Sequence, residues 1–378
     1  MTQKNTGPEP SSPKGRLRIA LTGQALIQAD MRVLNPSVVA GIRPLLTADV
    51  SFTDIETTVA ETGDDVSGVN PAMGDVVMPP EALDALVDMG LNLFATANNH
   101  SFDLGDVGMA NLVRNLDQRN LKHTGIAANP KAAIAPTYLD TEKGRVGIVS
   151  AASGLINPES VAQENRLGLY EIRLEGAVPD VDAGQPVEAD RQAMLASIAQ
   201  ATQEADYVIS YHHNHVYDKN FVQMMRQMMP ERLVPPPWVV KFAHEQIEAG
   251  ADMVVMHGAP VCQGIEIYQG KPIFYGLGNF IFQMPLCIAD FEPLAYESII
   301  AVVEIEDGAL HSITCHPIAI DPEGCSDQGE FSVLSRGLPR PLTDGEGQGI
   351  LEHVSRLSAD LGTPFTLSKD RAVFQLSA

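Results

Sequence analysis

The sequence predicts a layered α/β protein with mixed sheets, and three observations carry that prediction. Short apolar runs alternate with stretches whose apolar residues recur at helical spacing. Later in the chain, paired strand-like runs flank Gln269-Gly270 and Asp307-Gly308, the turn signals of hairpins. Hydrophobic residues make up 44% of the 378 and charged residues 19%, a balance that fills a large core within one domain.

The elements follow in order. A strand over 17–21 runs into Thr22-Gly23-Gln24, and a helix over 38–46 precedes a second strand, 50–54. Pro80 opens a helix to Met89, with Glu81 in its first turn and Gly90 behind it. The apolar run 93–97 leads into Asn98-Asn99-His100, followed by a helix over 105–115. Next come a strand over 145–150, a helix over 190–205 with Asp190 as its N-cap, and a strand over 207–211. A helix over 237–250 precedes a strand over 253–256 that ends at His257. Strands 265–268 with 272–275, and 298–305 with 310–316, make the hairpins. The domain is expected to span 16–321. An extension over 322–378 packs on it and includes a helix over 347–361. Residues 1–15 read as a disordered tail.

Two segments read as insertions. Residues 178–188 are acidic and rich in Pro and Gly, as in a surface loop. Residues 217–238 carry Met224, Met225, Met228 and Met229, then three prolines and the only Trp, Trp238. The Met spacing fits a core-facing helix and fits equally a pliable apolar lid. As a lid, the segment would bring Lys219 and Arg226 to a substrate anion.

Charge and composition exclude several roles. A net charge of -23 repels phosphate backbones and anionic lipid, so nucleic acid and membrane surfaces are not expected partners. No apolar run reaches the ~18–20 residues that a membrane span needs. The N-terminus lacks the apolar core of a secretory signal. Cys262, Cys287, Cys315 and Cys325 form no CxxC pair and read as reduced packing thiols. These features together predict a cytoplasmic protein.

Metal-competent residues gather at the predicted strand ends: Asp54 and Glu56, then Asn98, Asn99, His100 and Asp103, then His212, His213 and His215, then His257. Ligands of α/β sheets bind outside the carboxyl ends of strands. Imidazole with carboxylate or amide oxygen suits Zn, Mn, Fe or Co better than Ca or Mg. Taken singly, each piece has a plainer reading. His257 fits a structural hydrogen-bonding residue, Asp54-Ile55-Glu56 fits a helix N-terminus, and His212-His213-Asn214-His215 fits a polar loop.

Residues 97–108, Ala-Asn-Asn-His-Ser-Phe-Asp-Leu-Gly-Asp-Val-Gly, resemble the NNHxxDxGxxG signature of the CapA family of capsule and poly-γ-glutamate synthesis. That family belongs to the calcineurin-like metallophosphoesterase superfamily. Thr53-Asp54-Ile55-Glu56-Thr57 is similar to its Asn-Leu-Glu motif, and His123-Thr124-Gly125 to a His-x-Gly turn. Residues 205–213, 250–257 and Tyr275-Gly276-Leu277-Gly278-Asn279-Phe280 follow in family order. The resemblance covers about residues 17–320. It implies a four-layer α-β-β-α sandwich with two mixed sheets.

The departures from that pattern bear on function. Gly23-Gln24 stands where the family has Gly-Asp, and Asp54 stands for the Asn of Asn-Leu-Glu. His257-Gly258-Ala259-Pro260 replaces Gly-x-His-Pro-His, so both expected His positions fall on Gly258 and Pro260. His213-Asn214-His215 replaces His-Trp-Gly. Lost family ligands beside added imidazoles point to a re-drawn centre.

By resemblance, Asn99, His213 and Glu56 match metal ligands, and His100 matches an acid or base oriented by Asp103. His257 joins the ligands by its position alone. The expected centre is therefore one divalent transition metal on Glu56, Asn99, His213 and His257. His100, Asp103 and His215 would handle protons, and Gln24, Asp54, His212, Lys219 and Arg226 would meet a small-molecule substrate. The expected activity is metal-dependent hydrolysis of a small organic molecule. A non-hydrolytic lyase or transferase, and an accessory role in polymer synthesis, stand as alternatives.

Overall fold

A computed structural model describes residues 15–71, 74–284, 293–324, 327, 329 and 333–376. Its larger strands sort into two mixed sheets. Nine strands make the first. Arg16–Leu21, Val50–Asp54, Leu93–Ala95 and Lys122–Thr124 run parallel in that order. On the other side of Arg16–Leu21 lies antiparallel Glu297–Glu306, then Ala309–Asp321. Leu338–Pro341 and Ala372–Gln375 both pair with Ala309–Asp321, and Thr366–Leu367 closes that edge.

The second sheet has six strands, in the order Ile265–Tyr268, Lys271–Phe274, Met253–His257, Tyr207–Asn214, Gly144–Ser153 and Thr137–Thr141. Its three inner pairs are parallel and its two outer pairs antiparallel. In the parallel registers His213 lies beside His257, and Asp54 beside Ala95. That register brings the chemical groups to neighbouring strand ends.

Successive side chains of a strand point to opposite faces, so one strand serves two cores. Leu17, Ile19, Leu21 and Phe52 of the first sheet share a cluster with Ile148, Ile209, Tyr211 and Val255 of the second. Ala20 and Phe94 join a different cluster with Leu83, Leu86, Met109 and Leu112 of helices Glu81–Met89 and Gly105–Gln118. Val149, Val208 and Val254 meet Met194, Ile198, Phe242 and Ile247 of helices Glu188–Ala201 and Pro237–Glu248. With both faces covered, the inner strands can be apolar throughout.

Most predicted elements are present, with shifted ends. Gly90 stops its helix in a left-handed conformation (φ 113°), where its N–H caps the Leu86 carbonyl. The helix expected over 38–46 is Pro36–Ile42, with Pro36 at its first position. The helix expected over 190–205 is Glu188–Ala201, and Asp190 is not its N-cap. The Asp190 carboxylate instead accepts the Arg173 backbone N–H at 3.1 Å and pairs with the Arg173 guanidinium at 2.8 Å.

Beyond residue 321 the chain adds three strands to the first sheet. Ile350, Leu351 and Val354 of helix Gln348–Asp360 join the cluster shared by both sheets. Cys262 and Cys315 are buried free thiols. The tail expected over 1–15, apart from Gly15, lies outside the described residues, as do Cys287 and Cys325. Among the described residues no helix is long and apolar enough to cross a membrane.

Candidate metal centre

The Tyr207–Asn214 strand decides which imidazoles meet. Residues 211, 213 and 215 share one face of the strand and residue 212 takes the other. Tyr211, His213 and His215 accordingly turn toward the first sheet. His212 turns away, against the rings of Trp238 and Phe242, with its Nε2 at 2.7 Å from the Ser153 hydroxyl. The expected substrate contact of His212 is thereby corrected, since the residue is fully buried on the helix side of its sheet.

His213 is the hub. Its Nδ1 lies 3.1 Å from Asp54 Oδ2, and its Nε2 lies 2.8 Å from Asn99 Oδ1 and 3.5 Å from Glu56 Oε1. A neutral imidazole carries one N–H. With Asp54 ionised, that proton sits on Nδ1 and Nε2 presents a lone pair. Nε2, Asn99 Oδ1 and the Glu56 carboxyl group then converge on one point, an arrangement that a cation would complete.

His215 is prepared in a similar way. Its Nε2 donates to the Gly258 carbonyl at 2.8 Å, which leaves the lone pair on a buried Nδ1 without a partner. Glu56 Oε2 is likewise buried and unpartnered. Glu56, His213 and His215 each offer a ligand atom, and these atoms lie within 4.8 Å of one another. A partner that fixes the outer ring nitrogen of each His is what a metal ligand requires. Two imidazoles, a carboxylate and an amide oxygen fit a divalent transition metal.

His257 stands apart from this trio. Its Nε2 donates to the Thr22 carbonyl at 3.0 Å, and its Nδ1 faces the Tyr211 hydroxyl at 3.3 Å. Both ring nitrogens are engaged, so His257, expected as a ligand, is corrected, and His215, expected to handle protons, is the imidazole that could join Glu56 and His213 in holding a metal. Asp54 is corrected as well. It is fully buried, pairing with His213 through one oxygen and accepting from Asn98 Nδ2 at 3.0 Å with the other, so it is not placed to meet a substrate.

The two residues expected to handle protons by resemblance, His100 and Asp103, are in contact. His100 Nδ1 lies 2.8 Å from Asp103 Oδ2, and its Nε2 lies 3.9 Å from Glu56 Oε1. Asp103 is pinned by the Val76 N–H at 2.6 Å. Asn98 holds the turn: it accepts from the His100 N–H at 3.1 Å and donates to the Ile55 carbonyl at 2.7 Å. Asn98, one of the metal-competent residues at this strand end, thus serves the backbone of the turn.

Burial sets the protonation states. It lowers His213 to about 3, with the charge of His100 adding to the effect, and lowers His257 to about 4. His215 is pushed well below the ordinary imidazole range. The imidazoles are therefore neutral, the form that binds metal. Burial raises Asp54 to about 7, and raises Glu56 well above the usual carboxylate range with the charges of Asp54 and Asp103 adding to it. A cation at Glu56 would reverse that second penalty.

A cavity of about 370 Å³ opens over these groups. Glu56, Asn99, His100 and His215 line one part of it. Gln24 lines it too and accepts the Gly258 N–H at 2.9 Å through its own amide oxygen. Phe221, Met225 and Arg226 of helix Phe221–Arg226 line another part. The 217–238 segment thus reaches the site. Met224 and Met225 are also buried in a small cluster with Ala259 and Val261, separate from the main cores. Lys219 is corrected: its Nζ donates to the Asp180 carbonyl at 2.6 Å, and it does not line the cavity.

Nitrogen and oxygen donors at the strand ends of a mixed-sheet α/β fold define a candidate metal centre. The chain belongs to the family described as bacterial capsule synthesis protein PGA_cap, which matches residues 18–284. It is 27% identical to an uncharacterized protein of Sinorhizobium fredii over 85% of each chain. It is 27% identical to the PGA biosynthesis protein CapA of Bacillus subtilis, over 53% of this chain and 45% of that one. A probable polyglutamine synthesis accessory protein of Mycobacterium tuberculosis is 30% identical over 62% of this chain and 55% of its own. The CapA family is therefore the one to which the resemblance pointed.

Proposed function

We propose that this protein is a metal-dependent hydrolase of a small organic molecule, built on the four-layer calcineurin-like arrangement. The observation that carries the reading is the convergence of Glu56, His213 and His215, two of them with orphaned buried ligand atoms, beneath a cavity. Asn99 adds an amide oxygen to the set. When bound, a divalent transition metal, Zn, Mn, Fe or Co, supplies Lewis acidity at this point.

The rest falls to the chain's own residues. His100 holds or delivers a proton at Nε2, while Asp103 fixes its Nδ1. Leu26, Phe221, Met225 and Phe282 give the cavity apolar walls, which exclude water and take an apolar or aromatic part of the substrate. Arg226 on the same wall suits an anionic group.

A second reading has a specific observation behind it. The relatives from Bacillus and Mycobacterium carry names of polymer biosynthesis and of an accessory protein. On that reading the chain serves capsule or polyglutamate synthesis without catalysis of its own. One experiment separates the two. The purified protein is analysed for metal and assayed against a panel of phosphoesters, carboxylic esters and amides, with and without a chelator. A transition metal at about one per chain with chelator-sensitive turnover supports the hydrolase. Metal without turnover on any class favours a lyase, a transferase or the accessory role. No metal removes the reading.

A further inference from the structure

Gln24 lines the cavity over the metal centre, and only 2% of it is exposed. Its backbone is fixed: strand Gln24–Leu26 pairs with Asn279–Phe282, and the Gln24 N–H donates to the Gly278 carbonyl at 3.1 Å. Its side-chain amide is fixed as well, since Oε1 accepts the Gly258 N–H at 2.9 Å. An acceptor must face that N–H, so the amide has one orientation and its NH2 takes the other side. Nε2 donates to no group among the described residues and keeps surface open to the cavity.

Gly258 ties this donor to a candidate metal ligand. Its N–H goes to Gln24, and its carbonyl accepts His215 Nε2 at 2.8 Å. Glu56, Asn99, His100 and His215 line the same cavity as Gln24. Asn99 Oδ1 and His215 Nδ1 can give a lone pair to a cation, whereas an amide NH2 only donates. The partner of Gln24 Nε2 is therefore an acceptor atom of a bound molecule. A phosphoryl group in transfer spreads charge over three oxygens and calls for several donors or cations. An acyl group turning tetrahedral develops charge on one oxygen, which a single preorganised amide donor suits.

We propose, resting on the hydrolase reading, that the substrate is an acyl compound, a carboxylic ester or amide, whose carbonyl oxygen accepts from Gln24 Nε2. Water adds through its oxygen to the acyl carbon, and its proton passes to His100 Nε2. The carbonyl π pair moves onto the oxygen, where Gln24 Nε2 stabilises the negative charge. When that pair returns, the bond to the leaving oxygen or nitrogen breaks. The leaving atom keeps the bonding pair and takes the proton back from His100. One water is consumed, and a carboxylic acid with an alcohol or amine is released.

The full chain with its metal is assayed on 4-nitrophenyl acetate, 4-nitroacetanilide and 4-nitrophenyl phosphate. Isothermal titration of the same protein with benzoate reads acyl-oxygen binding without turnover. Wild type turns over the ester or the anilide in preference to the phosphate, and it binds benzoate. Gln24→Glu keeps an oxygen for the Gly258 N–H and exchanges the donor for an acceptor. Its kcat/KM on the acyl probes falls by about 100-fold with metal content unchanged. Benzoate affinity falls by about tenfold, as for one lost hydrogen bond to a charged group. Gln24→Met, which removes the donor without adding charge, gives the same losses, and where one variant does not fold the other decides. Turnover of the phosphate alone overturns the acyl assignment and leaves the hydrolase reading standing, whereas no metal, or no turnover of any probe, removes both. Benzoate affinity unchanged in both variants, with or without loss of turnover, overturns the donor role of Gln24, as does no benzoate binding to wild type.

Discussion

Substituting His215 and His257 separately should split metal binding from stability. The two imidazoles are both buried and both donate through Nε2 to a backbone carbonyl, Gly258 for one and Thr22 for the other. They differ at Nδ1. His215 Nδ1 is unpartnered and His215 belongs to the candidate trio with Glu56 and His213, whereas His257 Nδ1 faces the Tyr211 hydroxyl. His215→Ala removes one of three strong donors. Even outer-shell changes weaken metal sites about 10–100-fold, so at least ~100-fold, or roughly 2.7 kcal/mol, is expected here. Its structural cost is smaller, because His215 borders an existing cavity.

His257→Ala should behave the opposite way. The ring is 3% exposed, stacks on Phe52 at 6.3 Å and meets Tyr211 edge-on at 5.4 Å. Deleting it opens a hole in the core and strands the Thr22 carbonyl, together about 3–5 kcal/mol. Metal affinity should stay within about tenfold, since only an indirect contact is lost. Metal per chain after dialysis against a competing chelator, and urea unfolding of the same samples, read both effects. Loss of metal in His257→Ala with retention in His215→Ala would refute the assignment of ligands.

Three further outcomes follow from the same geometry. His100→Ala and Asp103→Asn should each lower kcat at least ~100-fold while metal content holds, because His100 reaches the site without belonging to the trio; metal loss in His100→Ala would make it a ligand. Met225→Ala should raise KM several-fold with a global stability change under about 2 kcal/mol, since its cluster lies apart from the main cores; an unchanged KM with lost stability would make Met225 mere packing. His212, lowered by burial to about 3, stays neutral in the fold while the unfolded chain protonates below about 6.5. It therefore contributes stability above that value that is lost as pH falls toward 3, at about 1.4 kcal/mol per pH unit. His212→Gln should flatten urea-derived stability of the metal-free protein by that slope between pH 6 and 4, and parallel profiles would contradict a neutral buried His212.

Local patterning and short motifs were enough to place the strands, most helices and the residues that crowd the strand ends. Apolar period and turn chemistry act over a few residues, so a linear reading recovers them. The Asn98-Asn99-His100 turn, Asp103 a helical step on and Glu56 beyond its strand could all be named in that way. What the chain could not declare was which atom each side chain turns inward. His212 and His213 are adjacent in sequence, yet the pleat sends one to Trp238 and Phe242 and the other to Asp54 and Asn99. His257 reads as a ligand until the Thr22 carbonyl, 235 residues away, takes its Nε2 proton. His215 becomes a donor because Gly258 approaches it, and Gly258 can do so only without a Cβ, which would lie 2.1 Å from the Asn214 carbonyl oxygen. The sequence supplies the inventory of candidate ligands. Selection among them depends on which ring nitrogen is already occupied, and those occupants are backbone carbonyls brought near by strand pairing across the fold.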